Sequence, residues 1–315
     1  MFGLVKREWK GALHQSAGRS FPLKPSALGV SLVVIFGGIS LVSEGVARGT
    51  EVYASANGAR VYTVDSSGTP SVLATMDFDP YGLAMDSGGT LYAALESSGQ
   101  INAIAPDGTV SLFATLPAHS NPSGMAFDGS GNLYVSDINP NDPIYKITPS
   151  GGVSAFATLP FNSFPAYMAF DNHGTLYTSD NVTSQISEIA PDGTVSVFAT
   201  LPADSFPTGI AFDSSNNLYV ALQSQNVIDK ITPAGTVSLF ATLTLADPPA
   251  DGYGSDPQDL KVDTSGNLFV AENNTNRISE IAPDGTVSTF ANITDPTYLL
   301  VVGGEAAATL GARAK

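Results

Sequence analysis

The sequence contains no cysteine, so it has neither a disulfide framework nor a thiolate for catalysis or metal binding. Histidine is also scarce, with three residues in 315, which leaves few candidates for a general base at neutral pH. After residue 50 there is no Gly-x-Ser-x-Gly elbow, no paired-histidine zinc motif and no phosphate-binding loop. The sequence therefore offers no common catalytic motif.

Turn-forming residues are abundant instead. The chain has 31 glycines and 21 prolines, while charged residues make up only 13% of it. Ser, Thr, Asn and Asp fill the segments between short apolar runs. This composition is typical of many short strands joined by reverse turns, and long helices are not expected.

An internal repeat covers most of the chain after residue 51. One apolar position, just before a turn, recurs at spacings of 40, 43, 42, 42 and 50 residues. The residues at this position are Val64, Ile104, Ile147, Ile189, Ile231 and Ile281. A period of 40 to 50 residues with several short strands per unit indicates propeller blades rather than a helical solenoid. We therefore predict six blades in one closed all-β body.

Each unit contains four strand-like segments, which we label strands A to D. In the unit at 124–158 they are GMAFD, NLYVSD, PIYKIT and GVSAFAT. The A–B connection carries an aspartate that can accept hydrogen bonds from backbone amides two residues later. These predicted turn aspartates are Asp86, Asp128, Asp171, Asp213 and Asp263.

The two ends of the repeat region complement each other. The C-terminal end supplies one further A segment, DPTYLLVV at 295–302, with no B, C or D segment after it. The N-terminal end supplies the missing three, at 51–56, 59–65 and 69–75. We therefore predict a blade in which one C-terminal strand joins three N-terminal strands. Such closure removes the exposed edges of an open array.

Charge and hydropathy divide the chain. Residues 1–50 carry a net charge of +4, and subtracting this from the total of −16 leaves −20 for the remainder. A body this acidic disfavours nucleic-acid binding. The uncharged apolar run at 26–43 follows a basic stretch and ends near small residues, which is the layout of an export signal or of a retained signal-anchor. We predict a leader at 1–50, an extracytoplasmic propeller at 51–302 and a disordered tail at 303–315.

These motifs resemble those of the NHL-repeat propellers. The blades of that family start strand A with proline-x-glycine-apolar and continue with an Asp-Gly turn, a Leu-Tyr-Val-x-Asp strand and an Asn/Arg-Ile strand. The best match is NLFVAENNTNRI at 267–278. The resemblance covers about residues 51–302 and implies a six-bladed propeller with four-stranded antiparallel blades. The gluconolactonase/regucalcin-like lactonases and the streptogramin lyases, which are enzymes, are more distantly similar.

A ring of residues is expected at one mouth of the channel. Because strands alternate in direction, the D–A and B–C loops lie on the same face, where such propellers usually bind ligands. In the similar lactonases, Asn or Asp ligands to a metal follow the strand A proline directly. At those places this sequence has Tyr81, Ser123, Ala166, Thr208, Gln258 and Thr297. This ring lacks the carboxylates that a hard divalent cation needs, so we expect it to contact a ligand without a metal.

Acidic residues define a second candidate ring, at the ends of the B strands. The residues there are Ala56, Leu95, Asp137, Asp180, Leu222 and Glu272. If Asp137, Asp180 and Glu272 converge, they could hold Ca²⁺ or Mg²⁺. The alternative is that each acid caps its own loop.

The streptogramin lyases use histidine as a general base. The resemblance to them makes His119 a candidate for that role in this chain. That residue lies in a D–A loop and could approach the mouth, whereas His14 is in the leader and His173 is in an A–B turn on the other face. The widened spacing of 50 residues reflects a long D–A loop at 243–258. We predict that Tyr253 in this loop contacts a ligand or forms a lid, the alternative being a tolerated insertion.

Two functions fit these observations. The first is an exported monomeric scaffold that binds a small molecule, glycan or protein at the mouth, with no cofactor, and meets a membrane only through an uncleaved leader. The second is a lactone hydrolase or lyase with a divalent cation, built from Asp137, Asp180, Glu272, His119 or Tyr253. The neutral ring favours the first.

Overall fold

The structure is a computed structural model that describes residues 51–95, 97–139, 143–243 and 254–302, and the backbone of 30–31 and 44–45. The chain divides into two units, one comprising Met1–Ala47 with Ala307–Lys315 and the other Arg48–Ala306. In the first unit, the strands Val30–Ser31 and Glu44–Gly45 form an antiparallel pair. The predicted leader is otherwise outside the described residues, as is the predicted tail at 303–315. Within the described part of the chain, no helix is long and apolar enough to cross a membrane.

The described residues of the second unit form 24 strands in six antiparallel sheets of four. The first blade contains β1 (Glu51–Ala56), β2 (Arg60–Val64), β3 (Pro70–Thr75) and β24 (Pro296–Val302). The second contains β4 (Pro80–Met85), β5 (Leu91–Leu95), β6 (Gln100–Ile104) and β7 (Val110–Thr115). The third contains β8 (Pro122–Phe127), β9 (Leu133–Asp137), β10 (Pro143–Ile147) and β11 (Val153–Thr158).

The remaining three blades follow the same order. The fourth contains β12 (Pro165–Phe170), β13 (Leu176–Asp180), β14 (Gln185–Ile189) and β15 (Val195–Thr200). The fifth contains β16 (Pro207–Phe212), β17 (Leu218–Leu222), β18 (Val227–Ile231) and β19 (Val237–Thr242). The sixth contains β20 (Pro257–Val262), β21 (Leu268–Glu272), β22 (Arg277–Ile281) and β23 (Val287–Asn292). The predicted six-bladed, all-β propeller is confirmed.

The first blade joins the two ends of the repeat region. Strand β24 pairs antiparallel with β1, in a register that places Leu299 opposite Ala54 and Leu300 opposite Tyr53. Leu299 is fully buried, so this strand belongs to the core and is not an appended edge. The predicted closure by one C-terminal and three N-terminal strands is confirmed.

The turn aspartates act as predicted. In each A–B turn the Oδ1 atom accepts a hydrogen bond of 2.9 Å from the backbone N–H two residues later. The same atom also accepts from the N–H four residues later, at 2.8 to 2.9 Å. One carboxylate oxygen thus satisfies two backbone donors of a tight turn, which explains an aspartate at this position without any further role.

Packing between strands repeats along with the sequence. Strand B is buried along its whole length in the five blades from the second to the sixth. Its aromatic residue meets the strand D phenylalanine of the same blade edge to face, with ring centroids 4.8 to 5.1 Å apart. Such pairs contribute about 0.5–1.5 kcal/mol each beyond the area they bury. These contacts hold strands B and D together within each of the five blades.

Strand A lines the axis, and its third residue decides how the axis is filled. At this position the blades carry Tyr298, Gly82, Gly124, Tyr167, Gly209 and Asp259, in order from the first blade. A β-carbon added at Gly124 would lie 2.9 Å from the Cα of Tyr167, and one at Gly209 would lie 2.5 Å from the Cα of Asp259. Glycine in one blade therefore makes room for the larger residue of the next.

Candidate binding site at the channel mouth

A cavity of about 300 Å³ opens at one end of the axis. All six blades contribute to it, from D–A loops, B–C loops and the first residues of strand A. The six residues that follow the strand A proline all line it: Tyr81, Ser123, Ala166, Thr208, Gln258 and Thr297. A bulge in strand A, between the proline and the residues two or three positions later, turns these side chains toward the axis.

A second tier of side chains above this ring consists mainly of amides. These residues directly follow strand B and are Asn57, Ile138, Asn181, Gln223 and Asn273. Sequence reasoning placed the second tier one residue earlier, at the last residue of strand B. Because successive side chains of a strand point to opposite sides, that shift exchanges a buried residue for one that faces the cavity. A repeated amide after strand B was the signal that could have identified this tier.

The three acids of the predicted second ring do not come together. Asp137, Asp180 and Glu272 are at most 1% exposed, and none of them lines the cavity. Asp137 accepts a hydrogen bond from the backbone N–H of Asn121 (2.9 Å), which fixes the adjacent D–A loop. For Asp137, this contact agrees with the alternative that each acid caps its own loop.

The other two acids bind within their own blades. Asp180 accepts hydrogen bonds from the hydroxyls of Thr178 (2.8 Å) and Ser187 (2.5 Å). Glu272 accepts two from Arg277, Nε to Oε1 at 3.0 Å and Nη2 to Oε2 at 2.9 Å. It also accepts one from the hydroxyl of Ser279. Both carboxylates are therefore partnered inside a sheet.

The residues at the mouth do not fit a hard divalent cation. Ca²⁺ takes six to eight oxygen ligands, usually including several carboxylates. Among the described residues, no three His, Cys, Asp or Glu side chains lie close enough together to hold a metal ion. Asp256 is the one carboxylate among the described residues that line the cavity. The arrangement suits hydrogen bonding to an organic ligand better than ion coordination.

The floor of the cavity is a small network of hydroxyl groups. Tyr167 and Tyr298 stack with ring centroids 4.7 Å apart, and Tyr81 lies 5.6 Å from Tyr298. The hydroxyls of Ser123 and Tyr298 are 2.7 Å apart, and Ser123 also donates to the carbonyl of Ala166 at 2.9 Å. Burial raises the pKa of Tyr167 and of Tyr298 well above the ordinary value of 10.0. Both phenols therefore stay protonated and can donate hydrogen bonds.

Beneath the floor, a buried ion pair fastens the closing strand. The Asp259 carboxylate accepts hydrogen bonds from Lys261 Nζ at 2.7 Å and from the backbone N–H of Leu299 in β24 at 2.9 Å. Burial raises the pKa of Asp259, while Lys261 and the backbone donors oppose that rise. This pair lies outside the cavity lining and connects the sixth blade to the first.

At the rim, Asp256 is held in a defined orientation. Its φ of 54° lies in the left-handed region, directly before Pro257, and this backbone conformation is uncommon for a residue with a side chain. Its N–H donates to Asn226 Oδ1 at 3.1 Å, and its carboxylate Oδ1 accepts from Gln223 Nε2 at 2.6 Å. The bond to Gln223 sets the orientation of that amide, so its carbonyl oxygen is a fixed acceptor.

His119, a described residue that was predicted to approach the mouth, does not line this cavity. His119 is exposed in its D–A loop with a φ of 70°, and its side chain is not part of the lining. His173 lies in an A–B turn, where its ring contacts Asp171 and Asn216. Tyr253 lies outside the described residues, as does most of the loop at 243–258. The part of that loop next to β20 brings Asp256 to the mouth.

Solved structures with the same architecture include a lyase and a nidogen/laminin complex. Virginiamycin B lyase from Staphylococcus aureus is 21% identical over 79% of this chain and 77% of its own, with a TM-score of 0.58. A catalytically inactive variant of that enzyme with quinupristin is 16% identical over 88% and 96%, with a TM-score of 0.62. A chain of the nidogen/laminin complex is 16% identical over 80% and 98%, with a TM-score of 0.68. At these identities the likeness shows the fold alone.

Family membership comes from the sequence of the blades. Among curated proteins no match was found. The model of the virginiamycin B lyase family matches residues 66–298. This range begins in the first blade, includes the other five and ends in the closing strand β24. This match agrees with the resemblance to streptogramin lyases that the repeats implied. The chain belongs to the virginiamycin B lyase family.

Proposed function

We propose that this propeller binds a small organic molecule at the channel mouth, and that the ligand carries both hydrogen-bonding groups and apolar surface. One observation supports this proposal above the others. Six blades each direct between one and four side chains into a single cavity, and among the described lining residues these are mainly hydroxyls, amides and aromatic rings. Ligand sites in proteins combine an apolar wall with a few placed polar groups in this way.

The size of the cavity agrees with a small ligand. Its volume of about 300 Å³ is at the lower end of the range of about 300–1,000 Å³ for small-molecule sites. The rings of Tyr81, Phe164, Tyr167 and Tyr298 supply apolar walls, and Asn181, Gln223 and Asn273 supply amide donors and acceptors. A molecule with an aromatic or peptide-like body fits this chemistry best.

A lyase activity is the second candidate, and family membership favours it. An elimination needs a general base within hydrogen-bonding reach of the proton that it removes. Among the described residues that line the mouth there is no histidine, and Asp256 is the one carboxylate. If the protein is a lyase, Asp256 is therefore the described residue best placed to act as the base. This requirement makes binding without catalysis the preferred function.

Filling the mouth tests the binding proposal. Tyr81 already occupies the ring position in the second blade, so tyrosine should be tolerated at the equivalent Gln258 and Thr297. The ligand of a relative, quinupristin, is the first probe, with maltotriose and a blocked tripeptide beside it. A ligand that binds only the folded protein, present at a concentration of ten times its Kd, should stabilise that protein by about 1.4 kcal/mol.

The double variant Gln258→Tyr/Thr297→Tyr should lose that stabilisation while keeping the melting temperature of the unliganded protein. His173→Tyr, on the opposite face, is the control and should bind as the wild type does. If the filled variant still binds the probe with unchanged affinity, the mouth is not the binding site.

Mass spectrometry of quinupristin after incubation separates the two candidate functions. Ring opening by elimination leaves the mass of the molecule unchanged but alters its chromatographic retention, whereas hydrolysis adds one water. We expect neither product. Conversion to an isomer by the wild type, abolished in Asp256→Asn, would establish the lyase and assign its base.

We also propose that the propeller works outside the cytoplasm. The support is the basic stretch followed by an uncharged apolar run at 26–43. Cell fractionation with N-terminal sequencing of the recovered protein tests this. A mature N-terminus close to residue 48 would indicate a cleaved signal, and an intact N-terminus in the membrane fraction would indicate an anchor. Recovery from the cytoplasm alone would contradict the proposal.

A further inference from the structure

The charge of the mouth restricts the ligands that it can accept. Among the described lining residues there is one carboxylate, that of Asp256, and no lysine, arginine or histidine. A negative group of a ligand would lie near this carboxylate and be repelled by it, and no cationic side chain among the described lining residues would offset the repulsion. A ligand with a positive group would find a partner. The same cavity therefore distinguishes ligands by the sign of their charge.

Asp256 is placed where it can accept hydrogen bonds from a ligand as well as hold its loop. The Asp256 N–H donates a hydrogen bond to Asn226 Oδ1, which fixes the backbone. The Asp256 Oδ1 atom accepts one from Gln223 Nε2 at 2.6 Å. An ionised carboxylate can accept about four hydrogen bonds, so the bond to Gln223 leaves capacity for a ligand. The Gln223 carbonyl oxygen, oriented by the same bond, is a second acceptor beside it. Two fixed acceptors at one place match a group that donates several hydrogen bonds.

Aromatic rings add to this preference. Tyr81, Phe164, Tyr167 and Tyr298 all line the cavity. The face of an aromatic ring attracts a cation, and this attraction is stronger where water is excluded. A cavity with aromatic walls and a carboxylate has the composition of sites that recognise ammonium groups.

The charge of the whole body acts in the same direction. Residues 51–315 carry a net charge of −20. Four of the five basic side chains of the described blades lie close to acids: Lys146 and Lys230 at 3.9 Å, Lys261 at 2.7 Å and Arg277 at 2.9 Å. An acidic body of this kind concentrates cations near its surface and raises their rate of association.

We propose that the mouth selects ligands that carry a protonated amine, with Asp256 and the carbonyl oxygen of Gln223 as the acceptors of its hydrogen bonds. This inference rests on the binding function proposed above and specifies the charge class of the ligand. It assigns Asp256 as the residue that determines specificity.

A matched series of small probes tests the inference. Benzylamine, benzyl alcohol and benzoate share one ring and differ in charge, and each fits a cavity of this volume. Titrations followed by ligand-observed NMR at low salt should give benzylamine a Kd about tenfold below that of benzyl alcohol, with benzoate weaker still. Raising the salt concentration should reduce the advantage of benzylamine, since exposed charges are screened.

Asp256→Asn isolates the charge, because asparagine also tolerates the left-handed conformation. In this variant the advantage of benzylamine over benzyl alcohol should fall below about threefold. Asp295→Asn is the control. Asp295 also precedes a strand A proline, has a φ of 49° and donates its N–H to an asparagine, but does not line the cavity. This variant should bind all three probes as the wild type does.

The outcomes separate this inference from the function on which it depends. Equal binding of benzylamine and benzyl alcohol, with both abolished in Gln258→Tyr/Thr297→Tyr, would overturn the charge preference and support the binding site. A preference for benzylamine that persists in Asp256→Asn would overturn the assignment of Asp256. Binding of none of the probes to the wild type would overturn the inference outright.

Discussion

At the scale of single residues, the axis depends on two glycines that lie against larger residues of the next blade. Gly124 lies against Tyr167, and Gly209 lies against Asp259. These glycines do not need an unusual φ, so the requirement is for space alone. The same residues position the floor of the mouth, because Tyr167 and Tyr298 stack across the axis.

Substitution Gly209→Ala should destabilise the protein. The added methyl group would lie 2.4 Å from the backbone N of Leu260 and 2.5 Å from the Cα of Asp259, and backbone atoms cannot move aside as a side chain does. We expect a loss of about 1–3 kcal/mol in the free energy of unfolding, measured by urea denaturation. Gly129→Ala, where nothing lies within 4 Å, should change stability by less than about 0.5 kcal/mol. Equal midpoints for the two variants would contradict this account.

Substitution Lys261→Met should make stability depend on the ionisation of Asp259. Without Lys261 the buried carboxylate loses its cation, and we expect a loss of about 2–3 kcal/mol near pH 7. Burial raises the folded-state pKa of Asp259 above its ordinary value of 3.8, so the folded state binds the proton more tightly than the unfolded state does. The cost is therefore absent below pH 3.8, appears as pH rises through the folded pKa, and is complete above it.

Urea denaturation at several pH values measures this dependence. The gap between Lys261→Met and the wild type should be widest at neutral pH and should narrow as pH falls toward about 4. Lys146→Met is the control. Lys146 is 3.9 Å from Asp128 and is partly exposed, so its loss should cost less than about 1 kcal/mol. A gap that stays constant with pH would show that Asp259 is not the cause.

At the scale of single elements, strands B and C show how one repeat serves different roles in different blades. The last residue of strand B is buried in all six blades but is acidic in only three. In the sixth blade the pair of β21 and β22 places Glu272 opposite Arg277, and in the first blade β1 and β2 place Ala56 opposite Arg60. The two arginines therefore occupy equivalent positions with different partners.

Arg277→Met should destabilise the sixth blade far more than Arg60→Met destabilises the first. Glu272 is fully buried, and Arg277 supplies two of its hydrogen bonds. Removing one partner of a buried ion pair costs about 3–5 kcal/mol, because the other charge stays in a dry environment. Arg60 is exposed, and its replacement should cost less than about 0.5 kcal/mol. Thermal and urea denaturation of both variants would measure the two losses in the free energy of unfolding. Equal losses would refute this prediction.

At the scale of the whole molecule, the propeller depends on joining its two ends. Strand β24 supplies the buried Tyr298 and Leu299 and pairs with β1. The backbone N–H of Leu299 donates a hydrogen bond to Asp259 in the sixth blade. Tyr298 also forms part of the floor of the mouth. Ring closure and the binding cavity therefore share the same strand.

A chain that ends at Thr294 should lose the cooperative unfolding of the full protein. Without β24, the edge of β1 is unpaired and the core around Leu299 is open to water. We expect a lower melting temperature by circular dichroism, and aggregation in size-exclusion chromatography. A chain that ends at Val302 keeps the strand and should melt as the full chain does. If the chain ending at Thr294 melts like the full protein, closure does not stabilise the ring.

Much of this architecture could be predicted because the six repeat units can be compared with one another. Each unit shows the same alternation and the same turn residues, so an error in one unit is corrected by the next, and the incomplete first and last units identify the closing blade. The ring after the strand A proline was identified for the same reason, and its six residues all line the cavity. The second tier was misplaced by one residue, because periodicity does not say at which residue a strand gives way to a loop.

The sequence by itself determined the six blades, their strands, the turn aspartates and the joining of the ends, since these follow from local patterns that recur six times. Only the tertiary structure decided which polar side chains meet. Asp137, Asp180 and Glu272 look equivalent in the repeat, yet Asp137 binds the D–A loop of its blade and the other two bind within their own sheets. Asp256 and Gln223, 33 residues apart, come together at the mouth. The reason is that contact between neighbouring blades depends on how whole blades are oriented, which no single repeat contains.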